Sequence, residues 1–278
     1  MKRIRLITPH TNRRPNKLRE VFGLSENPDD LEIVNGVADD DLDVVNTVTV
    51  PDLGIEFSNV ALPAGPSSIE SEFDEMLAAP YVVQRAIEAE RDGVDAVMID
   101  CMGDPGLDPA REAVNIPVLG PGETSLHTAA MLGHKFSFVT VLDSIRPMIE
   151  KRAAVYGIAE KMTPVRAVNI PVLSISEDHD DLVNRLYAAS LASINEDHAD
   201  VIILGCTGFL GVAEELTQRL SQEKGCIVPV INPIKVTVMT AFGLLKAGLS
   251  HSALSSPGPR NKGITGYGTY PISGKFQD

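Results

Sequence analysis

The chain has 278 residues, of which 44% are hydrophobic and 22% charged, and its formal net charge at pH 7 is −14. This composition is ordinary for a globular protein and unlike that of a disordered chain. The negative charge disfavours nucleic acid as a partner, because affinity for phosphate backbones comes largely from clustered lysine and arginine. No apolar stretch approaches the roughly 20 residues that span a bilayer, and the start turns polar too soon for a signal peptide. We therefore expect a cytoplasmic protein without a membrane partner.

Apolar runs alternate with helical patterns along the chain, which is typical of parallel sheets covered by helices. The segment 25–65 is broken repeatedly by proline and glycine, and its boundaries are poorly defined. The Pro/Gly-rich end, 255–270, is predicted to be a surface loop. The predicted strands lie at 4–7, near 33–34, and at 44–50, 96–99, 116–119, 136–140, 201–204 and 228–231, and the predicted helices at 16–22, 68–92, 123–132, 144–156, 178–197, 211–224 and 234–249.

Two segments of the chain, 95–107 and 200–212, match one another in register. Each has an aspartate, four apolar residues, a cysteine after one further residue, and glycines two and five residues after that cysteine. The cysteines are Cys101 and Cys206. A continuous apolar run closed by such a turn is typical of a parallel strand buried on both faces. Each thiol then lies at the carboxyl end of a strand, where ligands of open α/β sheets bind.

The duplicated unit of roughly a hundred residues predicts an α/β fold with two pseudo-symmetric, doubly wound lobes, each with a mainly parallel sheet. The active site is expected in the cleft between the lobes. A thiol near a helix amino terminus tends to have a lowered pKa and becomes a usable base or nucleophile. Thiols on opposite sides of the cleft suit inversion at a carbon next to a carbonyl, where one removes a proton and the other donates one to the opposite face.

Such a reaction needs donors for the developing enolate oxygen, because electrostatic stabilisation is usually the largest catalytic contribution. Backbone amides after the two cysteines and nearby hydroxyls are the candidates. Asp104 either caps a helix or holds a polar substrate group, and capping is the commoner use. His127 is expected on a helix that faces the cleft, although a lone histidine is more often a surface or satisfied core residue. The candidate substrate-binding residues are Thr8, His10, Thr11, Gly103, Asp104, Thr140, Thr207 and Gly208.

Other kinds of site find little support in the sequence. None of the three cysteines has a ligand at the spacing of a zinc site, and no glycine motif for a dinucleotide or phosphate follows the first strand. We therefore expect neither a metal nor a cofactor. Cysteines in such a chain are expected to be reduced, with Cys226 in the core. The acidic runs 39–43 and 70–75 are interpreted as solvated faces.

Three stretches resemble the aspartate/glutamate/hydantoin racemase superfamily, and most of all its hydantoin racemase branch. They are 100–111 (DCMGDPGLDPAR), 117–123 (PVLGPGE) and 204–209 (LGCTGF). The resemblance implies two pseudo-symmetric lobes, racemisation without a cofactor, and Cys101 and Cys206 as the paired acid and base. It also implies that the carboxyl-terminal segment rejoins the first lobe. The family often has Asn-Pro-Asn-Thr after the first strand, where this chain has Thr-Pro-His-Thr at 8–11.

These observations predict a racemase or epimerase that inverts a carbon next to a carbonyl in a small molecule, with 5-substituted hydantoins as the best candidates. A neutral ring needs no arginine-rich clamp for a carboxylate. Amino-acid racemisation, malonate decarboxylation and maleate cis-trans isomerisation remain open on the same scaffold, as does a ligand-binding sensor without turnover. The predicted lobes are 1–121 with 232–278, and 122–231. We also expect a homo-oligomer.

Overall fold

The computed structural model describes residues 1–11, 17, 46–50 and 53–259. The predicted helix at 16–22, apart from Lys17, and the predicted strand near 33–34 lie outside this part. Within it, no helix is both long and apolar enough to cross a membrane. Its strands are β1 (Lys2–Thr8), β2 (Asn46–Val50), β3 (Ile55–Ala61), β4 (Ala96–Ile99), β5 (Val118–Leu119), β6 (Phe136–Thr140), β7 (Arg166–Ala167), β8 (Val201–Leu204) and β9 (Val230–Ile231). Its α-helices are α1 (Glu72–Arg91), α2 (Leu107–Ala113), α3 (Pro121–Leu132), α4 (Arg146–Val155), α5 (His179–Asn195), α6 (Ala213–Lys224) and α7 (Pro233–Ala247).

The first sheet has the order β2-β3-β1-β4-β5, and all its neighbours are parallel except β2 and β3. Helices cover both faces. On β4, Val97 and Ile99 pack into the core under α1 and α2, whereas Ala96 and Met98 pack into the core under α7. A strand buried on both faces must be apolar at every position, which explains its uninterrupted apolar run.

The second sheet has the order β7-β6-β8-β9 and is parallel throughout. In both sheets the strand that precedes a paired cysteine lies beside the first strand of its unit, so β4 pairs with β1 and β8 with β6. The second core lies around β6 and β8 and is built largely from α5, α6 and the apolar side of α3. The predicted α/β fold with two doubly wound lobes is confirmed.

The sequence did not predict strand β3, although it pairs with β1 along the full length of both strands. Its apolar pattern is interrupted by Ser58 and Asn59, which are buried nonetheless. Asn59 Oδ1 lies 3.0 Å from Thr8 Oγ1, and Ser58 Oγ lies 3.2 Å from Arg5 Nε. These polar atoms find partners on the neighbouring strand, so β3 can lie inside the sheet without an apolar run.

Helix α7 returns the chain to the first sheet. Its side chains Ile234, Val238 and Ala241 are fully buried in one core with Ile4 and Leu6 of β1. The packing supports the assignment of the carboxyl-terminal segment to the first lobe. The lobe boundaries themselves stay a prediction, and the far end, from 260 onward, lies outside the described residues.

Candidate active site

The two cysteine turns have the same local structure. After β4, the Gly103 N–H donates to Cys101 Sγ at 3.4 Å, and the N–H of residue 104 donates to the Cys101 carbonyl at 3.0 Å. After β8, the Gly208 N–H donates to Cys206 Sγ at 3.2 Å, and the N–H of residue 209 donates to the Cys206 carbonyl at 3.2 Å. The repeat in the sequence is therefore a repeat in three dimensions.

The two turns meet at a single cavity between the lobes. Thr207 Oγ1 donates to the backbone carbonyl of Asp100 at 3.2 Å, which joins the turn of the second lobe to that of the first. Cys101 and Cys206 both line the cavity. Most of the wall is apolar and comes from both lobes, with Ile69, Met102, Leu126, Phe138, Val141, Ile145, Met148, Ile149 and Val172.

Six of the ten residues predicted for the site line this cavity. They are His10, Cys101, Gly103, Cys206, Thr207 and Gly208. Thr8, Thr11, Asp104 and Thr140 are not part of its wall. Thr8 and Thr140 are buried beside it, with Thr8 Oγ1 3.3 Å from Asp100 Oδ2 and Thr140 Oγ1 3.5 Å from the carbonyl of Gly205. Thr11 is exposed and donates to the carbonyl of Pro66 at 3.4 Å. Their roles in binding substrate stay predictions.

Asp104 caps helix α3. Its carboxylate accepts the backbone N–H groups of Gly122 at 2.9 Å and Glu123 at 2.7 Å, and the hydroxyl of Tyr156 at 2.8 Å. Burial raises the pKa of Asp104 to about 6, although these three donors oppose the shift. Because its oxygens are already bonded, the capping function accounts for this residue, and contact with substrate is left without structural support.

The thiol of Cys101 is harder to ionise than the sequence suggested. Loss of hydration raises its pKa well above the ordinary value, and the nearby charges of Glu75, Cys206 and Asp104 add to the effect. The N–H of Gly103 acts in the opposite direction and is outweighed. The expectation of a lowered pKa is therefore wrong for Cys101, whose resting form at neutral pH is the protonated thiol.

Sequence reasoning missed four charged residues at the site, Lys17, Asp100, Arg152 and Glu75. Lys17 and Arg152 line the cavity, Lys17 paired with the carboxylate of Asp100 and Arg152 with that of Glu75. Glu75 was assigned to a solvated acidic run, and this is wrong, because only 8% of the residue is exposed. Neither pair has a local signal, since their members are 83 and 77 residues apart in the chain.

One further prediction is wrong. Cys226 is exposed rather than in the core, since it follows the left-handed Gly225 that ends α6. His127 is exposed on α3, with its ring 6.4 Å from that of Tyr156. It does not line the cavity, although Leu126 of the same helix does. Among the described residues, no three His, Cys, Asp or Glu side chains are grouped so that they could hold a metal ion.

Comparison with known proteins assigns the chain to a family. The family model for the Asp/Glu/hydantoin racemases matches residues 45–241. The chain belongs to the Asp/Glu/hydantoin racemase family. It is 36% identical over 192 residues to a hydantoin racemase from Pseudomonas sp. (strain NS671), a match that covers 69% of this chain and 75% of that protein. The resemblance found in the cysteine motifs is thereby confirmed.

Solved structures of two allantoin racemases resemble this racemase over nearly its whole length. The enzyme from Klebsiella pneumoniae superposes with a TM-score of 0.78 at 28% identity, covering 96% of this chain and 97% of that one. The enzyme from Pseudomonas fluorescens gives a TM-score of 0.74 at 29% identity, covering 95% of this chain and 100% of that one. The prediction of an isomerase of the racemase type is confirmed.

Proposed function

We propose that this racemase inverts the ring carbon of 5-substituted hydantoins, using Cys101 and Cys206 as its acid and base. The observation that carries the proposal is the shared cavity. Two thiols in equivalent turns, one from each sheet, line one space and lie at turns joined by a hydrogen bond. Two thiols that flank one carbon can exchange a proton on opposite faces of it without a cofactor.

The raised pKa of Cys101 gives the two thiols separate tasks in a single turnover. Cys101 enters as the thiol and donates, so the Cys206 thiolate removes the proton of the bound enantiomer. Removal of the proton breaks the C–H bond and leaves its electron pair in the planar enolate. The Cys101 proton then adds to the opposite face, and the enzyme is left with a Cys206 thiol and a Cys101 thiolate. The reverse turnover uses that second form.

The hydantoin ring fits this chemistry because a carbonyl and a nitrogen flank the carbon that inverts, and the carbonyl acidifies its C–H bond. The relatives point the same way, since one carries the name hydantoin racemase and two the name allantoin racemase. The apolar side chains Leu126, Phe138 and Ile149 in the wall favour an aliphatic or aromatic 5-substituent over a polar one.

A chiral assay in deuterated buffer tests the proposal. Single enantiomers of 5-isopropylhydantoin, 5-benzylhydantoin and allantoin are incubated with the enzyme, alongside an α-amino acid, an arylmalonate and maleate. We expect racemisation with deuterium uptake at the ring carbon, above the rate without enzyme, and faster for the two hydantoins with apolar substituents. If no hydantoin gains in either racemisation or exchange, the proposed substrate class is wrong, and turnover of another compound would identify the alternative.

Serine substitutions test the two-cysteine mechanism. A serine hydroxyl is far less acidic than a thiol, so C101S and C206S should each lower the racemisation rate by at least about 10²-fold, the usual size of an acid–base contribution. C226S is the matched control because this cysteine is exposed and outside the cavity, and its activity should equal that of the wild type. Undiminished racemisation by either C101S or C206S would refute the mechanism.

A further inference from the structure

An ion pair that joins the two lobes borders the cavity. Arg152 belongs to α4 of the second lobe and lines the cavity with both thiols, whereas Glu75 belongs to the first turn of α1 in the first lobe. Arg152 Nη2 donates to Glu75 Oε2 at 2.7 Å. The two side chains are 28% and 10% exposed. A buried carboxylate of this kind holds its partner in a fixed orientation. If Arg152 moved away, the charge of Glu75 would be left buried and unpaired.

The carboxylate of Glu75 also packs against the turn that holds Cys101. A Cβ atom at Gly103 would lie 1.7 Å from Glu75 Oε1, so the carboxylate occupies the space that a side chain there would need. This oxygen is buried and has no hydrogen-bond partner among the described residues. Packing against Gly103 and the bond to Arg152 therefore fix the position of Glu75 at the edge of the site.

Most of the hydrogen-bonding capacity of Arg152 is left for a ligand. A guanidinium carries five N–H donors, and among the described residues Glu75 is its only hydrogen-bond acceptor. The other cation in the wall, Lys17, is paired with Asp100, and the Thr207 hydroxyl is donated to a backbone carbonyl. Of the two cations in the described part of the wall, Arg152 is thus the one with most of its donors uncommitted.

We propose that Arg152 binds the carbonyl oxygen next to the reacting carbon, and that Glu75 is the positioning residue that holds its guanidinium there. The inference rests on the proposed function and names the group that stabilises its intermediate. Removal of the proton places negative charge on that oxygen, and a donor already fixed in place stabilises this charge without reorganising. A guanidinium has several N–H donors, so Arg152 can donate to the carbonyl oxygen while its Nη2 stays bonded to Glu75.

Substitution of Arg152 tests the binding role. We expect R152M to lower kcat by about 10²- to 10³-fold, the usual effect of removing one donor to a developing oxyanion. K151M is the matched control, because Lys151 is the preceding residue of α4, 66% exposed, and paired with the exposed Glu72. Its kcat should stay within about twofold of the wild type. Equal kinetics for R152M and K151M would overturn the inference. If R152M fails to fold, R152K is used instead. We expect R152K to lose less kcat than R152M would, and an unchanged kcat in R152K would overturn the inference.

A double-mutant cycle tests the positioning role of Glu75. If Glu75 acts through Arg152, E75Q lowers kcat more in the wild-type background than in R152M, where only the direct effect of its charge on Cys101 remains. E75D, which keeps the charge, should recover part of the activity lost in E75Q. E72Q provides the control, since it makes the same change one turn earlier on α1 at an exposed site. An E75Q effect of the same size in both backgrounds would show that Glu75 does not act through Arg152.

Calorimetry with unsubstituted hydantoin, which has no stereocentre, separates this inference from the proposed function. Wild-type protein should bind this ring, and R152M should bind it at least about tenfold more weakly. If the wild type racemises no hydantoin but binds the ring through Arg152, the proposed function fails and the binding role stands. If it racemises but R152M matches K151M in both assays, the binding role alone fails. A wild type that neither racemises nor binds would overturn both.

Discussion

Gly103 has two tasks at one position of the chain. Its N–H donates to the Cys101 thiol, and its lack of a side chain makes room for the Glu75 carboxylate. The thiol thus has a donor that favours its charged form and a neighbouring carboxylate that opposes it. The carboxylate and the loss of hydration raise the pKa of the thiol more than the Gly103 N–H lowers it. Cys101 is therefore protonated in the resting protein.

Alkylation of Cys101 should report this balance. Iodoacetamide reacts with the thiolate, so the rate at Cys101 should rise only at a pH above the ordinary range of a thiol. E75Q removes a nearby negative charge and should move the whole rate profile to lower pH. Mass spectrometry of the labelled peptides measures the alkylation rate of Cys101 at each pH. The exposed Cys226 is the internal reference, and E72Q is the control variant. A profile for E75Q that coincides with the wild type would show that the carboxylate does not influence the thiol.

At the scale of single elements, α3 begins without a cap of its own. Its N-cap residue is Gly120, which has no side chain, and Asp104 supplies the missing acceptor from the cysteine turn. Gly120 and Gly122 make this possible, since a Cβ at either would lie within 3 Å of the Asp104 carboxylate or the neighbouring backbone. The cap ties the first helix after the first sheet to the turn that carries Cys101.

The pKa of Asp104 predicts how this cap depends on pH. Its folded value of about 6 lies above the ordinary value of about 3.9, so the folded protein holds a proton that the unfolded chain releases. The contribution of Asp104 to stability is therefore largest below about pH 4, falls as the pH rises towards 6, and is constant above that. The unfolding free energy of the wild type relative to D104N should drop by about 1–3 kcal/mol from pH 4 to pH 7.

Urea unfolding of both proteins at pH 4, 5, 6 and 7 measures this difference. D108N is the control, because this aspartate of α2 is 80% exposed and its substitution should change stability by no more than about 0.5 kcal/mol. If the difference in unfolding free energy between wild type and D104N stays constant or grows with pH, the raised pKa does not belong to Asp104.

At the scale of the whole molecule, the chain leaves the first sheet, builds the second and returns through α7. Ile234 begins this return and is fully buried against the first sheet. Removal of a buried isoleucine side chain leaves a cavity, so I234A should lower the free energy of unfolding by about 2–4 kcal/mol. I227A is the matched control, since Ile227 is 86% exposed just before β9 and its loss should cost little. Equal stabilities for the two variants in urea unfolding would contradict the role of α7 in the first core.

The sequence predicted what is encoded locally. The paired cysteines follow buried strands whose apolar runs are visible residue by residue, and the sheets and most helices follow from the same patterns. Strand β3 was missed because Ser58 and Asn59 are satisfied by partners on β1, which no local pattern reveals. Glu75 and Arg152 were missed because their bond forms only when α1 and α4 of different lobes meet.

The two cysteine turns share one geometry, yet their chemical surroundings differ. At equivalent positions the first carries the carboxylate of Asp104 and the second the phenyl ring of Phe209. An enzyme with two unlike bases need not process mirror-image substrates at the same maximal rate. The two enantiomers have equal free energies, however, so kcat/KM must be the same in both directions. Any asymmetry of the turns must therefore change kcat and KM by the same factor, so that the enantiomer with the higher turnover number saturates the enzyme at a proportionally higher concentration.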